Sequence, residues 1–174
     1  MNPYKEDDRA IEIVEVQEEE KSILRQLLEL YEYDFSEFND RDVNKLGLYG
    51  YTYFDHYWTD DDRDAYFIKV NGNLAGFIMI NEHCCLYPNE TAKSIAEFFV
   101  MRKYRKSGVG IEAAMHIFDK YTGNWEVLQH GKNDVSKLFW EKVIHAYTDG
   151  KFELKEVVTE DWTGQGIVFN NAAR

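Results

Sequence analysis

Proline and cysteine are scarce in these 174 residues, at two each. With so little proline, no low-complexity run and no internal repeat, no linker is apparent. One continuous domain over residues 1–174 is expected, after a few loose N-terminal residues. The cysteines, Cys84 and Cys85, are neighbours, and adjacent residues rarely reach disulfide geometry, so no covalent framework is implied. "HCC" (His83 to Cys85) cannot surround a tetrahedral ion with three consecutive ligands, and no second pair completes a site, so no metal is expected. Long apolar runs are also missing: nothing approaches the roughly 20 residues of a membrane span. The opening "MNPYKEDDRA" has no signal-peptide core. A cytoplasmic location is the expectation. Positive charge is the minority sign, 20 Lys and Arg against 32 Asp and Glu, net −12. Nucleic acid and anionic membranes require a broad basic surface, so neither is an expected partner. A neutral or cationic partner fits the charge.

What is present reads as alternating elements. "AIEIVEV" alternates as a strand, and "EEEKSILRQLLELYEYDF" then places Ile23, Leu24, Leu27, Leu28 and Tyr31 on one helical face. "SEFNDRDVNKLGLYGYTYFDHYWTDDDRDA" has weak periodicity and reads mainly as loop. "YFIKV" and "LAGFIMI" flank an Asn-Gly turn, a strong hairpin signal. "SIAEFFVM" reads as a strand buried on both faces. A second helix carries Val109, Ala113, Ala114, Ile117, Phe118 and Tyr121. "WEVLQH" is a strand, and a third helix from Asn133 has Val135, Leu138, Phe139, Lys142, Val143 and Ala146 as its inward stripe. "KFELKEVVT" and "GIVFN" close the chain as strands. This order describes a mixed α/β domain rather than a doubly wound sheet.

One short stretch runs against the overall charge. "RKYRKSGVG", residues 102–110, sets Arg102, Lys103, Arg105 and Lys106 beside Gly108 and Gly110. It lies between a strand and a helix, where free amides and the helix dipole form an anion site; the alternative is a solvated basic turn. A nucleotide P-loop needs lysine followed by serine or threonine after the second glycine, and Ile111 stands there. A dinucleotide fingerprint is met by "GVGIEA" in spacing, with Glu126 about 20 residues on. Its context is wrong, because six residues separate strand from glycine and Glu126 begins rather than ends the next strand. The third pattern is arginine, two residues, glycine, one residue, glycine: Arg105, Gly108 and Gly110.

On that pattern "IAEFFVMRKYRKSGVG" resembles the strand and pyrophosphate loop of the GNAT superfamily of N-acetyltransferases. "NDVSKLFWEKVI" resembles the family's next signature. The two motifs cover about 50 residues, and the order of elements agrees over almost the whole chain. The resemblance implies a mixed, mostly antiparallel twisted sheet of about seven strands flanked by helices. It implies acetyl-CoA as co-substrate, its pyrophosphate on the amides from Arg105 through Lys106, Ser107, Gly108 and Val109 to Gly110. The pantetheine arm would lie beside Phe99 and Val100, the amide of Val100 or Met101 would hold the thioester carbonyl, and Asn133 and Phe139 would border the coenzyme. A homodimer is compatible with this likeness.

Amide formation from a thioester needs a deprotonated amine, a held carbonyl and a proton for the thiolate. Glu97, on the strand leading to the loop, is the candidate base; it also reads as an ordinary strand acid, and His130 is the next candidate. Many relatives carry tyrosine after the phenylalanine of the second motif, whereas Trp140 stands here, and its indole is no acid at neutral pH. Asn133 reads first as a helix cap and second as a coenzyme contact. "YGYTYFDHYWTDDDRD" lies where relatives build the acceptor pocket, and aromatic faces with acids suit a cationic amine; a packed cover with an acidic tip is the other reading. The expected activity is acetyl transfer from acetyl-CoA to a primary amine of a small molecule or peptide. The alternative is a non-catalytic acyl-CoA-binding or regulatory module on the same fold.

Overall fold

The computed structural model describes residues 9–160 and 163–173; the expected loose N-terminal residues lie outside them. Strand β1 (Ile11–Glu15) leads to helix α1 (Lys21–Asn39) and a single helical turn, α2 (His56–Thr59). The hairpin β2 (Arg63–Val70) and β3 (Asn73–Asn81) follows, turning through Asn71 and Gly72 at φ 51° and 77°, the left-handed pair an Asn-Gly hairpin adopts. Then come β4 (Ala92–Val100), α3 (Val109–Lys120), β5 (Asn124–His130), α4 (Asp134–Thr148), β6 (Glu153–Val158) and β7 (Thr163–Asn170). The seven strands form one sheet in the order β1-β2-β3-β4-β5-β7-β6, and only the β4–β5 pair is parallel.

Each face of the sheet buries its own core. Helices α3 and α4 cover one face, where Trp125 and Phe118 pack edge to face at 5.0 Å and Val109, Ala113, Ala114 and Ile117 are fully buried. Leu24, Leu27 and Leu28 of α1, with Phe54 and Tyr57, cover Ala65, Phe67, Phe77, Met79 and Phe99 on the other. Helix α1 runs to Asn39 and absorbs the "SEFN" that reads as loop in the sequence.

The sequence reading of α4 is corrected. Val135 and Leu138 are 79% and 70% exposed, and Lys142 and Ala146 also face solvent; the buried stripe is Trp140, Val143, Ile144 and Tyr147. The sequence carries apolar residues on two adjacent faces, and the sheet takes the larger side chains. Strand β4 is likewise buried only in part. Its pairing with β5 covers Ala92–Ile95 against Asn124–Val127 and stops there.

Two irregularities shape the centre of the sheet. Between β3 and β4 the register passes from Met79↔Glu97 to Ile80↔Ile95, leaving Ala96 as an extra residue. Because strand side chains alternate, one inserted residue moves everything beyond it to the other face. Ile95 and Phe98 therefore pack toward α3 and α4, while Glu97 and Phe99 turn toward α1. Opposite the end of β4, a Cβ on Gly76 would stand 1.9 Å from Phe99 O. Gly76→Ala is expected to force β3 and β4 apart and cost about 3 kcal/mol, a fall of roughly 6–12 °C in Tm. Leu154→Ala, on the exposed side of β6, should stay within about 0.5 kcal/mol in the same thermal melts.

Candidate active site

Where β4 and β5 part, a cleft of about 1220 Å³ opens, with Tyr31, Phe35, Tyr51, Glu97, Phe98 and His130 among its lining. Alternate residues of an antiparallel ladder turn amide and carbonyl to the same neighbour. The Met101 amide donates to Ala75 O at 2.8 Å, and Phe99 lies opposite Phe77. Phe99 and Met101 thus spend their backbone on β3, and Phe98 and Val100 turn theirs to the open side. This corrects two expectations: Met101 has no amide left for a carbonyl, and a ligand extending the strand would meet the backbone of Phe98 and Val100 rather than that of Phe99. The Val100 carbonyl already accepts from Arg105 Nε at 2.7 Å, which leaves its amide.

The basic turn ends at α3. Gly108 precedes the helix at φ 86°, in the left-handed region that favours glycine. The amide of Glu112 is the first to close a helical bond, onto Gly108 O at 3.1 Å. The amides of Val109, Gly110 and Ile111 therefore have no carbonyl behind them within the helix, and the helix dipole adds its positive end there. A Cβ on Gly110 would meet the Phe139 ring at 3.3 Å and Val100 at 3.5 Å, so glycine keeps this corner open. The amide of Arg105, expected among the anion donors, instead donates to Arg102 O at 3.2 Å.

The cations of the turn are only partly committed to it. Asp34 of α1 takes Arg102 Nη2 at 2.7 Å and Arg105 Nη2 at 2.5 Å. Burial works against its charge, yet the hydrogen bonds from Arg105 and Arg102 hold its carboxyl below the usual range. From the far end of the sheet, Arg9 reaches Ser107 O at 2.6 Å and Glu112 at 2.9 Å, fastening the loop to the start of α3.

Glu97 sits on the α1 side of the cleft. Tyr31 donates to its Oε2 at 2.5 Å and Tyr51 to its Oε1 at 3.1 Å. Burial pushes the carboxyl up to about 7; the two tyrosine hydroxyls oppose the rise and the nearby Glu32 adds to it. Burial first, and Glu97 second, push both phenols upward, so each stays a donor. A carboxylate poised near neutrality beside an open strand edge is suited to accept a proton there.

A model of the family described as the acetyltransferase (GNAT) family matches residues 24–146, from α1 through α4. The chain belongs to the GNAT acetyltransferase family. No curated protein matches the sequence. Among solved structures, an acetyltransferase from Thermus thermophilus superposes with a TM-score of 0.64 at 14% identity, covering 93% of this chain and 97% of that one. The ribosomal L7/L12 α-N-protein acetyltransferase RimL, in complex with coenzyme A, gives 0.61 at 12%, covering 94% and 96%. Aminoglycoside acetyltransferase AAC(6')-Ib, in complex with coenzyme A and kanamycin, gives 0.61 at 15%, covering 92% and 95%. The seven-stranded mixed sheet is thus the GNAT fold.

The remaining residues of the GNAT motifs divide between frame and cleft. Asn133 Oδ1 accepts the Ser136 amide at 3.0 Å, so it caps α4 while bordering the cleft. Phe139 is half-buried, its ring 5.7 Å from that of Phe98. Trp140 is core, packed edge to face on Phe98 at 4.9 Å. His130 stands edge-on to Phe35, and its Nδ1 accepts the Lys132 amide at 3.2 Å. Burial and then Glu126 push the Cys84 thiol up to about 12, and the same causes raise Cys85, so neither is an activated nucleophile. Among the described residues no cluster of His, Cys, Asp and Glu could hold a metal. Tyr31 and Asp34 are the residues here that sequence reasoning did not single out, whereas Tyr51 lies in the aromatic segment it put forward for the acceptor pocket. Tyr31 had a signal, a hydroxyl on an apolar helical stripe, which reads equally as packing.

Glu97 binds its proton more tightly folded than unfolded, so its ionisation lowers stability as pH climbs from about 4.5 to 7 and by a constant amount above. Glu97→Gln should therefore melt higher than wild type at pH 8, by about 3 kcal/mol or on the order of 7–14 °C. The difference should vanish near pH 4.5; a constant offset across this range in thermal melts would mean that Glu97 titrates normally.

Proposed function

We propose that this GNAT member transfers the acetyl group of acetyl-CoA to a primary amine of a small molecule or peptide, by direct attack in a ternary complex. The observation that carries the reading is Glu97: a carboxyl raised to about 7, held by two phenols, beside the edge where β4 leaves β5.

The residues suit the coenzyme at both ends of that edge. The amides of Val109, Gly110 and Ile111, with the Lys106 charge, supply donors for a pyrophosphate. Phe98 and Val100 offer backbone for an extended arm, and the Val100 amide is placed to donate to a carbonyl oxygen. Acetyl-CoA, when bound, supplies a thioester open to attack by an amine. An alkylamine, with a pKa of about 10, arrives as ammonium and must lose a proton first. Transfer to a group near 7 is uphill by about 4 kcal/mol, against about 8 for an ordinary glutamate. Burial of Glu97 thus halves that cost. The acidic surface favours a cationic acceptor over nucleic acid, and the aromatic rings of Tyr31, Phe35 and Tyr51 offer faces to an ammonium group.

One observation favours the second reading, an acyl-CoA-binding module without transfer: Trp140 is packed in the core where many relatives place a phenol. In the catalytic reading, water or the amine's own proton serves the departing thiolate.

Thermal melts with acetyl-CoA, against NAD and NADP, test the coenzyme. At about 100 times its dissociation constant the ligand should stabilise by roughly 2.7 kcal/mol, or about 5–10 °C. Gly108→Trp should abolish that shift, and a shift retained in this variant would place the coenzyme elsewhere. Thiol release across a panel of amines then separates the readings. Transfer lost in Glu97→Gln with the acetyl-CoA shift intact supports catalysis, whereas a wild-type protein that binds but never releases thiol supports the module.

A further inference from the structure

Tyr51, which donates to Glu97, belongs to the connection between α1 and α2, whose residues 41–48 are all exposed. An exposed backbone is satisfied by water and needs no protein partner. The peptides of Tyr49 and Gly50, half-buried and directly before Tyr51, are by contrast gripped from both sides. Glu29 of α1 accepts the Tyr49 amide on Oε2 and the Gly50 amide on Oε1, each at 2.8 Å. Arg41 Nη2 reaches the carbonyls of the same residues at 2.7 and 3.3 Å, while its Nη1 pairs with the buried Glu32 at 3.2 Å. Gly50, at φ 69°, lets successive amides converge on one carboxylate.

We propose that Glu29 is a positioning residue, whose carboxylate fixes Tyr49 and Gly50 so that the next residue keeps its hydroxyl on Glu97. The proposal rests on the reading of Glu97 as the base. Phe54 of the connection and Tyr57 of α2 are anchored in the core and the Tyr51 ring packs against the same cluster; what the clasp adds is a fixed backbone directly before Tyr51, which sets where its hydroxyl points. Helix α1 then supplies both hydroxyls on Glu97, one directly from Tyr31 and one through Glu29. The ionisable groups facing Glu97 are Tyr31 and Glu32 from α1, Tyr51 from the connection and Tyr57 from α2, with Arg41 offsetting Glu32.

The sign of the effect separates positioning from simple electrostatics. Removing the negative charge of Glu29 would by itself favour ionisation of Glu97 and lower its titration midpoint. Releasing Tyr51 withdraws a donor from the carboxylate and raises the midpoint. The full-length protein is labelled with ¹³C at glutamate side-chain carboxyls, and the Glu97 resonance is identified by its loss in Glu97→Gln. Tyr51→Phe is expected to raise the Glu97 midpoint by about one unit. Glu29→Ala should raise it in the same direction, and adding it to Tyr51→Phe should raise it no further. Glu29→Gln, which keeps one acceptor, should fall between and serves if the alanine variant does not fold. A Glu97 that titrates near 7 in wild type, and whose midpoint is unmoved or lowered in the Glu29 variants, would overturn the proposal alone. A wild-type Glu97 titrating in the ordinary carboxylate range would overturn the reading of the base as well.

Discussion

The parting of β4 from β5 is the constraint on which the rest of the molecule depends. The two strands run parallel in an otherwise antiparallel sheet, and each has an antiparallel partner on its other side, β3 or β7. Once the short parallel ladder ends at Ile95 and Val127, nothing obliges the two halves to stay in one plane. An unpaired strand edge inside a protein would ordinarily be a liability. Here the same gap exposes the backbone of Phe98 and Val100, brings the open N-terminus of α3 to one end and leaves Glu97 at the other. The bulge at Ala96 belongs to the same solution. Without it Glu97 would share a face with Ile95, under α3 and α4, and would be cut off from the tyrosines of α1.

Helix α1 organises what the sheet leaves open. Its apolar stripe fixes it on the sheet, and its polar side chains then act on three neighbours. Asp34 gathers Arg102 and Arg105, Tyr31 meets Glu97, and Glu29 with Glu32 holds the connection to α2. This changes the meaning of a basic turn in an acidic protein. Half of its four cations are answered by one aspartate, so any anion affinity of the turn would fall mainly to backbone amides and to the two lysines. Amides at a helix end act on a bound anion at short range and with direction, whereas exposed side-chain charges are screened within about 10 Å at ordinary ionic strength.

The sequence made visible whatever is local in the chain. Helix and strand periods gave the order of elements, and the basic glycine turn before α3 was legible because its residues are consecutive. The hydrogen-bond parity of β4 was not, since it is set by Ala75 on another strand, and so Met101 was assigned an amide it does not have free. The side chains of "SIAEFFV" give no sign that Ala96 is extra; only the pairing with β3 shows it. In α4 the sequence offers two overlapping apolar stripes, and only the sheet decides between Leu138 and Trp140. Glu97 was found for its place before the loop, but the cause of its chemistry, two phenols from distant segments, lies entirely in the tertiary structure.

The spacing on α1 ties the two ends of the cleft together. Tyr31 and Asp34 are three residues apart, a rise of about 4.5 Å, and one touches Glu97 while the other touches the arginines of the loop. Strand β4 separately connects Glu97 to that loop through Val100. Glu97 and the basic turn are therefore joined by two independent rigid elements, one a strand edge and the other a helix turn. Between them they fix the distance from the start of α3 to Glu97. Loop sequences can vary around such a frame without moving Glu97 or the turn, provided the residues that contact Glu97 stay on elements as firmly placed. Tyr31 satisfies this by lying on the helix itself. Tyr51 lies on the connection, where its ring packs against the α1-side core and the carboxylate of Glu29 and the guanidinium of Arg41 hold the two residues before it.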